Sequence, residues 1–272
     1  NQAFLAAAER FLSKHLGGRY QEEIPEDIAK RLEEITVDIN TVTMPEKIDE
    51  TKLDGPLPVP TSDLSPKDWS YKMVIKVQGQ EIPFDVRTKI EKAKKNWAVT
   101  QTSSSAMGVI KEIGTVKRGS LIPVSREVDQ QMASINLQHS EGKIEGTMSI
   151  QGQDNTIDME LENPVFGSGA SLYEVLSALP LAEGYSAVYR TYDVQAQKVI
   201  PFELTVAGKE EIEVPAGKFE AFKAEVKDLS GGGSNSTMWF STDSKNLGLI
   251  KVESVVPQMG GAQVEISLSK MN

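Results

Sequence analysis

From Trp69 onward, apolar and polar residues alternate in short runs separated by Gly, Asn, Asp or Ser. Tyr71–Val77, Ile82–Ile90, Trp97–Thr102, Gly108–Val116, Ser120–Val128, Met132–Gln138, Lys143–Ile150 and Thr156–Leu161 follow this pattern. Successive side chains of a strand point to opposite faces, so these runs read as half-buried strands joined by tight turns. A second series follows: Ala187–Val194, Val199–Val206, Glu210–Val214, Glu220–Lys227, Thr237–Phe240, Leu249–Val255 and Gln263–Leu268. Between the two series, Leu172–Leu179 is helical in pattern and stops before Pro180, a residue that cannot continue a helix. Many short strands predict a mainly β fold: an antiparallel barrel, half-barrel or clam-like domain with one dividing helix.

The two series share local matches. Tyr71 corresponds to Tyr189, and Ile82-Pro83-Phe84 corresponds to Ile200-Pro201-Phe202 at the same offset. Trp97 and Phe219 form a third, looser match. An internal duplication would place two similar half-barrels face to face, with the helix between them.

The N-terminal part has a different period. Phe4, Ala8, Phe11, Leu12 and Leu16 recur at helical spacing, and Gly17-Gly18 offers a left-handed stop. A second short helix is expected after Pro25, with Ile28, Leu32 and Ile35 on one face and Glu26 and Asp27 in its first turn. Residues 40–65 carry Pro45, Pro56, Pro58 and Pro60, with Pro66 just beyond. Pro56-Leu57-Pro58-Val59-Pro60 favours extended polyproline II. It reads either as a linker or as a strap packed along the domain. The predicted division is a helical segment over 1–39, a proline-rich connection over 40–65 and an antiparallel β domain over 66–272.

Composition narrows the chemistry. The 272 residues carry a formal net charge of −10 and no Cys. Disulfides, thiolate metal sites and cysteine nucleophiles are thereby excluded. A phosphate backbone is repelled by such a chain, which argues against a nucleic-acid partner. With two His, a His-rich metal centre is not expected. No apolar run approaches the ~18 residues that a membrane-spanning helix needs. No metal or cofactor is called for by any motif.

No catalytic residues emerge. Gly167-Ser168-Gly169-Ala170-Ser171 lacks the Gly-x-Ser-x-Gly spacing of a nucleophile elbow and reads as a helix start capped by Ser171 or a neighbour. His15 suits the C-terminal end of its helix, and His139, in Gln138-His139-Ser140-Glu141, is expected to face solvent. The aromatic residues fall mostly on strands and are expected to fill the core. If the barrel is too wide to be filled, Phe84, Trp97, Phe202, Phe219 and Trp239 are the candidate lining of a ligand cavity. The ligand would be an apolar small molecule or an extended peptide.

Two stretches resemble known families. Ala7-Ala8-Glu9-Arg10-Phe11-Leu12-Ser13-Lys14-His15-Leu16-Gly17-Gly18-Arg19 resembles the last helix and tail of bacterial prolyl-oligopeptidase-family serine peptidases. That resemblance implies a parent peptidase domain outside this chain, and none of the family's catalytic motifs falls within it. Ile212 to Phe222, with the turn Pro215-Ala216-Gly217, then Met238-Trp239-Phe240-Ser241 and Leu249-Ile250-Lys251-Val252, resembles the bacterial envelope protein family of unknown function 3108. The second resemblance covers roughly residues 66–272 and implies a β-rich protein of the periplasm or a secreted one. The expected function is a non-catalytic exported binding or interaction module. The alternatives are an accessory region of a serine peptidase and a structural envelope protein.

Overall fold

A computed structural model describes residues 2–17, 19, 24–35, 55–167, 169–232 and 235–272. The chain divides into two compact units, residues 1–46 and 47–272. The first holds α1 (Gln2–Leu16) and α2 (Glu26–Ile35). Lys14 lies in the last turn of α1, while Glu26 and Asp27 begin α2, so each charge opposes its helix dipole. Residues 40–54 of the proline-rich stretch lie outside the described residues.

The second unit is a 14-stranded antiparallel sheet. Its first series is β1 (Lys67–Val77), β2 (Gln80–Ala93), β3 (Asn96–Ser105), β4 (Gly108–Lys117), β5 (Pro123–Gln130), β6 (Ala133–Ser140), β7 (Lys143–Ile150) and β8 (Gln153–Glu160). Its second is β9 (Ser186–Asp193), β10 (Lys198–Val214), β11 (Gly217–Asp228), β12 (Asn235–Ser241), β13 (Leu249–Val256) and β14 (Ala262–Met271). Period-two burial explains the strands. In β2, Val86, Thr88 and Ile90 are buried while Arg87, Lys89 and Glu91 are exposed.

Each series is a meander, and β1 pairs with β14, which joins the two into one sheet. Both meanders therefore progress in the same direction around the sheet. Tyr71 and Tyr189 stand on the first strand of each meander, but Tyr71 pairs with Val86 whereas Tyr189 pairs with Phe202. The cross-strand partners of the matched residues thus differ.

Two details depart from the sequence reading. Val199–Val206 and Glu210–Val214 belong to one strand, β10, because the register shift between Val206 and Gly208 is a bulge that bends the strand without ending it. The dividing helix α3 (Leu172–Ser177) is shorter than its pattern, and Ser171 makes no side-chain cap bond. A 3₁₀ turn at Gly169–Ser171 leads into α3 instead. The carboxylate of Glu112 accepts from the backbone N–H of Ala170 at 3.0 Å and from Nε of Arg126 at 2.8 Å. Gly169 (φ +54°) suits that turn, because a Cβ would stand 1.5 Å from the same carboxylate oxygen and displace Glu112 from its bonds.

The helix is the centre of the main core. Val175, Leu176, Ala178 and Leu179 pack with Ile90, Trp97, Val99 and Val116 of the first meander and with Leu204, Val226, Phe240 and Val252 of the second. A second cluster gathers Trp69, Tyr71, Val86, Val214, Trp239, Ile250 and Leu268. The sheet edges are β8 and β9. A third cluster brings Leu137, Ile144, Met148 and Ile157 of β6–β8 against Val165, Tyr192 and Val194. Side chains, not ladder hydrogen bonds, bring these edge regions together.

Residues 55–65 run against this unit. Thr61 and Ser62 donate backbone N–H groups to the Ala178 carbonyl at 2.9 and 3.3 Å. Asp63 Oδ1 accepts from Trp97 Nε1 at 2.7 Å and from Gly119 N at 3.1 Å, and Leu64 is buried. Arg190, buried on β9, donates to the Gly55 carbonyl at 2.9 Å. The segment thereby contacts both meanders.

Candidate functional site

Strand alternation sets rows of side chains side by side where β11, β12, β13, β14 and β1 are neighbours. One row runs Glu225, Thr237, Glu253, Glu265 and Val74. The next runs Asn235, Val255, Gln263 and Lys76. Together with Lys227 these residues line an open groove of about 580 Å³, within the ~300–1,000 Å³ range of ligand pockets.

The groove offers carboxylate acceptors, amide and ammonium donors, and apolar contacts at Val74, Val226, Val255 and Val264. Glu253 and Glu265 sit directly opposite one another, which like charges disfavour. Lys251 resolves the conflict, with Nζ at 2.6 Å from Glu253 and 3.6 Å from Glu265. Partial burial lowers the pKa of the Lys251 ammonium, but the two carboxylates outweigh it and hold the pKa above its ordinary value.

The row behind the groove contains Lys223, Trp239, Lys251 and Ser267. Trp239 donates from Nε1 to Glu210 at 2.6 Å, and Lys251 and Lys223 lie 5.5 and 5.7 Å from its ring centroid. Trp239 is 6% exposed, so it supports the groove through Lys251 without lining it.

The other aromatic candidates are split. Trp97 is buried in the core around α3, and Phe202 packs there with its ring stacked on Tyr189 at 5.5 Å. Phe84 and Phe219 pack against the cluster that contains Trp239. None of the five lines the groove. Two smaller spaces lie beside α3. One, about 10 Å³, lies among Tyr71, Thr88, Tyr173 and Glu174, and the other, about 110 Å³, lies under Ser62, Asp63 and Lys245. The second is bordered by the buried pair Lys67–Glu174 at 2.5 Å. Burial, with Glu174 nearby, pushes the Tyr71 phenol well above its ordinary pKa, and its hydroxyl donates to the Leu249 carbonyl at 3.2 Å.

Sequence reasoning missed the groove. Its residues are polar and spread over β1 and β11–β14, so only the alternation of each strand hinted at a shared face. His139 also differs from expectation. It does not face solvent. Burial, then the Arg126 charge, lowers its imidazole from 6.5 to about 4. Among the described residues, no group of His, Asp and Glu could hold a metal ion, and no helix is long and apolar enough to cross a membrane.

These features define residues 47–272 as an open antiparallel sheet packed around one short helix. The family model for a protein of unknown function, DUF3108, matches residues 70–267, and the chain belongs to that family. A protein from Bacteroides fragilis with a YmcC-like fold, described as a candidate exported protein, is 9% identical and superposes with a TM-score of 0.31. The match covers 79% of this chain and 99% of that one. A DUF1329 family protein from Desulfovibrio piger is 10% identical over 76% of this chain and 85% of its own, with a TM-score of 0.33. No curated protein matches the sequence significantly.

Proposed function

We propose that this protein is a non-catalytic exported recognition module that holds an extended peptide across the groove of β11–β12–β13–β14–β1. The observation that carries the reading is the groove itself, open to solvent and lined by carboxylates, amide and ammonium donors and valines. An extended chain presents both N–H and C=O groups, which such a lining can match. A compact apolar molecule would take water from Glu225, Glu253 and Glu265 and return no hydrogen bond, leaving Glu253 and Glu265 to share Lys251. The envelope setting follows from the family resemblance in the sequence, and cell fractionation tests it.

The test of binding is selection from a random heptapeptide library on immobilised full chain, followed by fluorescence anisotropy of the enriched peptides. Thr237→Arg with Val255→Glu, two substitutions that fill the groove, are expected to weaken binding at least about tenfold. No enrichment, or enriched peptides indifferent to the block, would remove the proposal. Incubation with a fluorophosphonate is expected to leave no label, and stoichiometric labelling of one Ser would overturn the non-catalytic part. A second proposal rests on α1, whose sequence is the one that resembles the end of a serine peptidase. The coding sequence upstream of Asn1 decides that kinship, and the absence of a hydrolase domain there ends it.

A further inference from the structure

The space of about 110 Å³ beside α3 shares no lining residue with the groove. Its charged floor is the ion pair Lys67–Glu174, whose side chains are 5% and 3% exposed. Its rim is exposed and polar. Ser62 and Ser65 come from the segment before β1, and Ser244 and Lys245 from the β12–β13 connection. Leu64, Ile90 and Leu247 supply apolar wall between floor and rim.

The ion pair has bonding capacity that the described residues do not fill. Lys67 Nζ donates to Glu174 Oε2 at 2.5 Å and stands 4.1 Å from the Trp69 ring centroid. Gly248 admits the ammonium at that place, because a Cβ there would collide with Nζ. An ammonium has three N–H donors, so at least one is left without an acceptor. Oε1 of Glu174 receives no donor among the described residues. The cost of taking two charges out of water is offset only when their remaining protons and lone pairs are bonded too. Those bonds fall to whatever occupies the adjoining space. Glu174 also borders the space of about 10 Å³ near Tyr71, which holds one water at most. Lys67 lines only the larger of the two.

The lining selects the chemistry of the occupant. Asp63 and Glu174 balance Lys67 and Lys245, so the charges that face the space sum to zero. A plain anion gains Lys67 but meets Glu174, and a plain cation meets the reverse. Water answers the polar groups alone, since a held water needs about two to four polar partners and finds none along Leu64, Ile90 and Leu247. A molecule that carries both charges with a little carbon between them matches floor and wall together. The volume equals the share of three to four waters at ~30 Å³ each. Bonded atoms pack closer than waters, so about six non-hydrogen atoms fit. We propose that this pocket holds a free α-amino acid of small side chain, with its carboxylate toward Lys67 and Lys245, its ammonium toward Glu174 and its carbon atoms against Leu64 and Ile90. The site stands independently of the peptide groove.

The experiment is saturation-transfer NMR of the full chain with L-alanine, repeated with propionate, which lacks the ammonium, and ethylamine, which lacks the carboxylate. Alanine is expected to bind with a Kd of about 0.1–1 mM, as befits so few atoms, and each analogue at least about tenfold more weakly. Leucine, too large for the space, is expected not to compete. Two variants locate the site. Lys67→Met with Glu174→Leu removes both charges, and Ser244→Trp fills the mouth from an exposed position where folding is undisturbed, as circular dichroism checks. Both are expected to abolish the signal, whereas the groove-filling pair Thr237→Arg and Val255→Glu leaves it unchanged. No alanine binding up to about 20 mM overturns the proposal and leaves a pocket of water only. Binding that survives Ser244→Trp overturns it as well, as does propionate or ethylamine binding as tightly as alanine.

Discussion

His139 stands on β6 opposite Ile144, with both ring nitrogens shielded from water and no hydrogen-bond partner for either among the described residues. Desolvation, then the Arg126 charge, places its folded pKa at about 4 against an ordinary 6.5. The sign is fixed by linkage. Well above pH 6.5 the ring is neutral in both states and adds no pH dependence. As pH falls from 6.5 toward 4, the unfolded chain takes up a proton that the folded chain refuses, and stability is lost. One pKa unit corresponds to about 1.4 kcal/mol, so by pH 4.5 the loss is ~2–3 kcal/mol. His139→Leu is expected to reduce the acid loss by that amount. Urea midpoints of both proteins at pH 7.5 and 4.5 check it, and equal losses would refute it. The sequence could not show this burial, because Gln138, Ser140 and Glu141 surround His139 with polar residues. Only alternation with the buried Leu137 on the same strand face pointed inward.

At the scale of elements, α3 is positioned by charge as well as packing. Lys67 and Glu174 have side chains only 5% and 3% exposed, so each is desolvated and depends on the other. Glu174→Ala is expected to cost about 3–5 kcal/mol, because it leaves a buried ammonium unpaired. Lys67→Met with Glu174→Leu is expected to recover most of that loss. A double-mutant cycle in guanidinium measures the difference. Residues 55–65 form another such element, with Asp63 joining Trp97 of β3 to the Gly119 turn. Asp63→Ala is expected to destabilise by about 1–3 kcal/mol, since the indole N–H of a buried Trp97 loses its acceptor. Amide exchange of residues 56–64 should quicken with it. Proline content made this stretch legible as extended chain, but not the surface it lies on.

The whole molecule has two sheet edges, and they are protected differently. Beside β9 lies the segment before α3, with Phe166 N donating to the Arg190 carbonyl at 2.8 Å. Strand β8 carries Asp154, Asp158 and Glu160, and its residues are mostly exposed. Charge on an edge discourages pairing with another chain. Asp154→Val with Asp158→Val is expected to leave the melting temperature nearly unchanged while promoting aggregation on mild heating. Static light scattering reads that change, and unaltered scattering would exclude the protective role.

The sequence by itself determined most of the local structure: the period-two runs, most of the turns between them and the one helix between two meanders. Those properties depend on period and residue type, which are local. Tertiary structure alone decided that β1 pairs with β14, that Trp97 and Trp239 enter separate clusters, and that the polar faces of β1 and β11–β14 make one groove. Alternation tells a side chain which side of its strand it takes, but not which distant strand lies beside it. That choice is made by burying all the apolar faces around α3 at once, a cooperative outcome that no single stretch of the chain encodes.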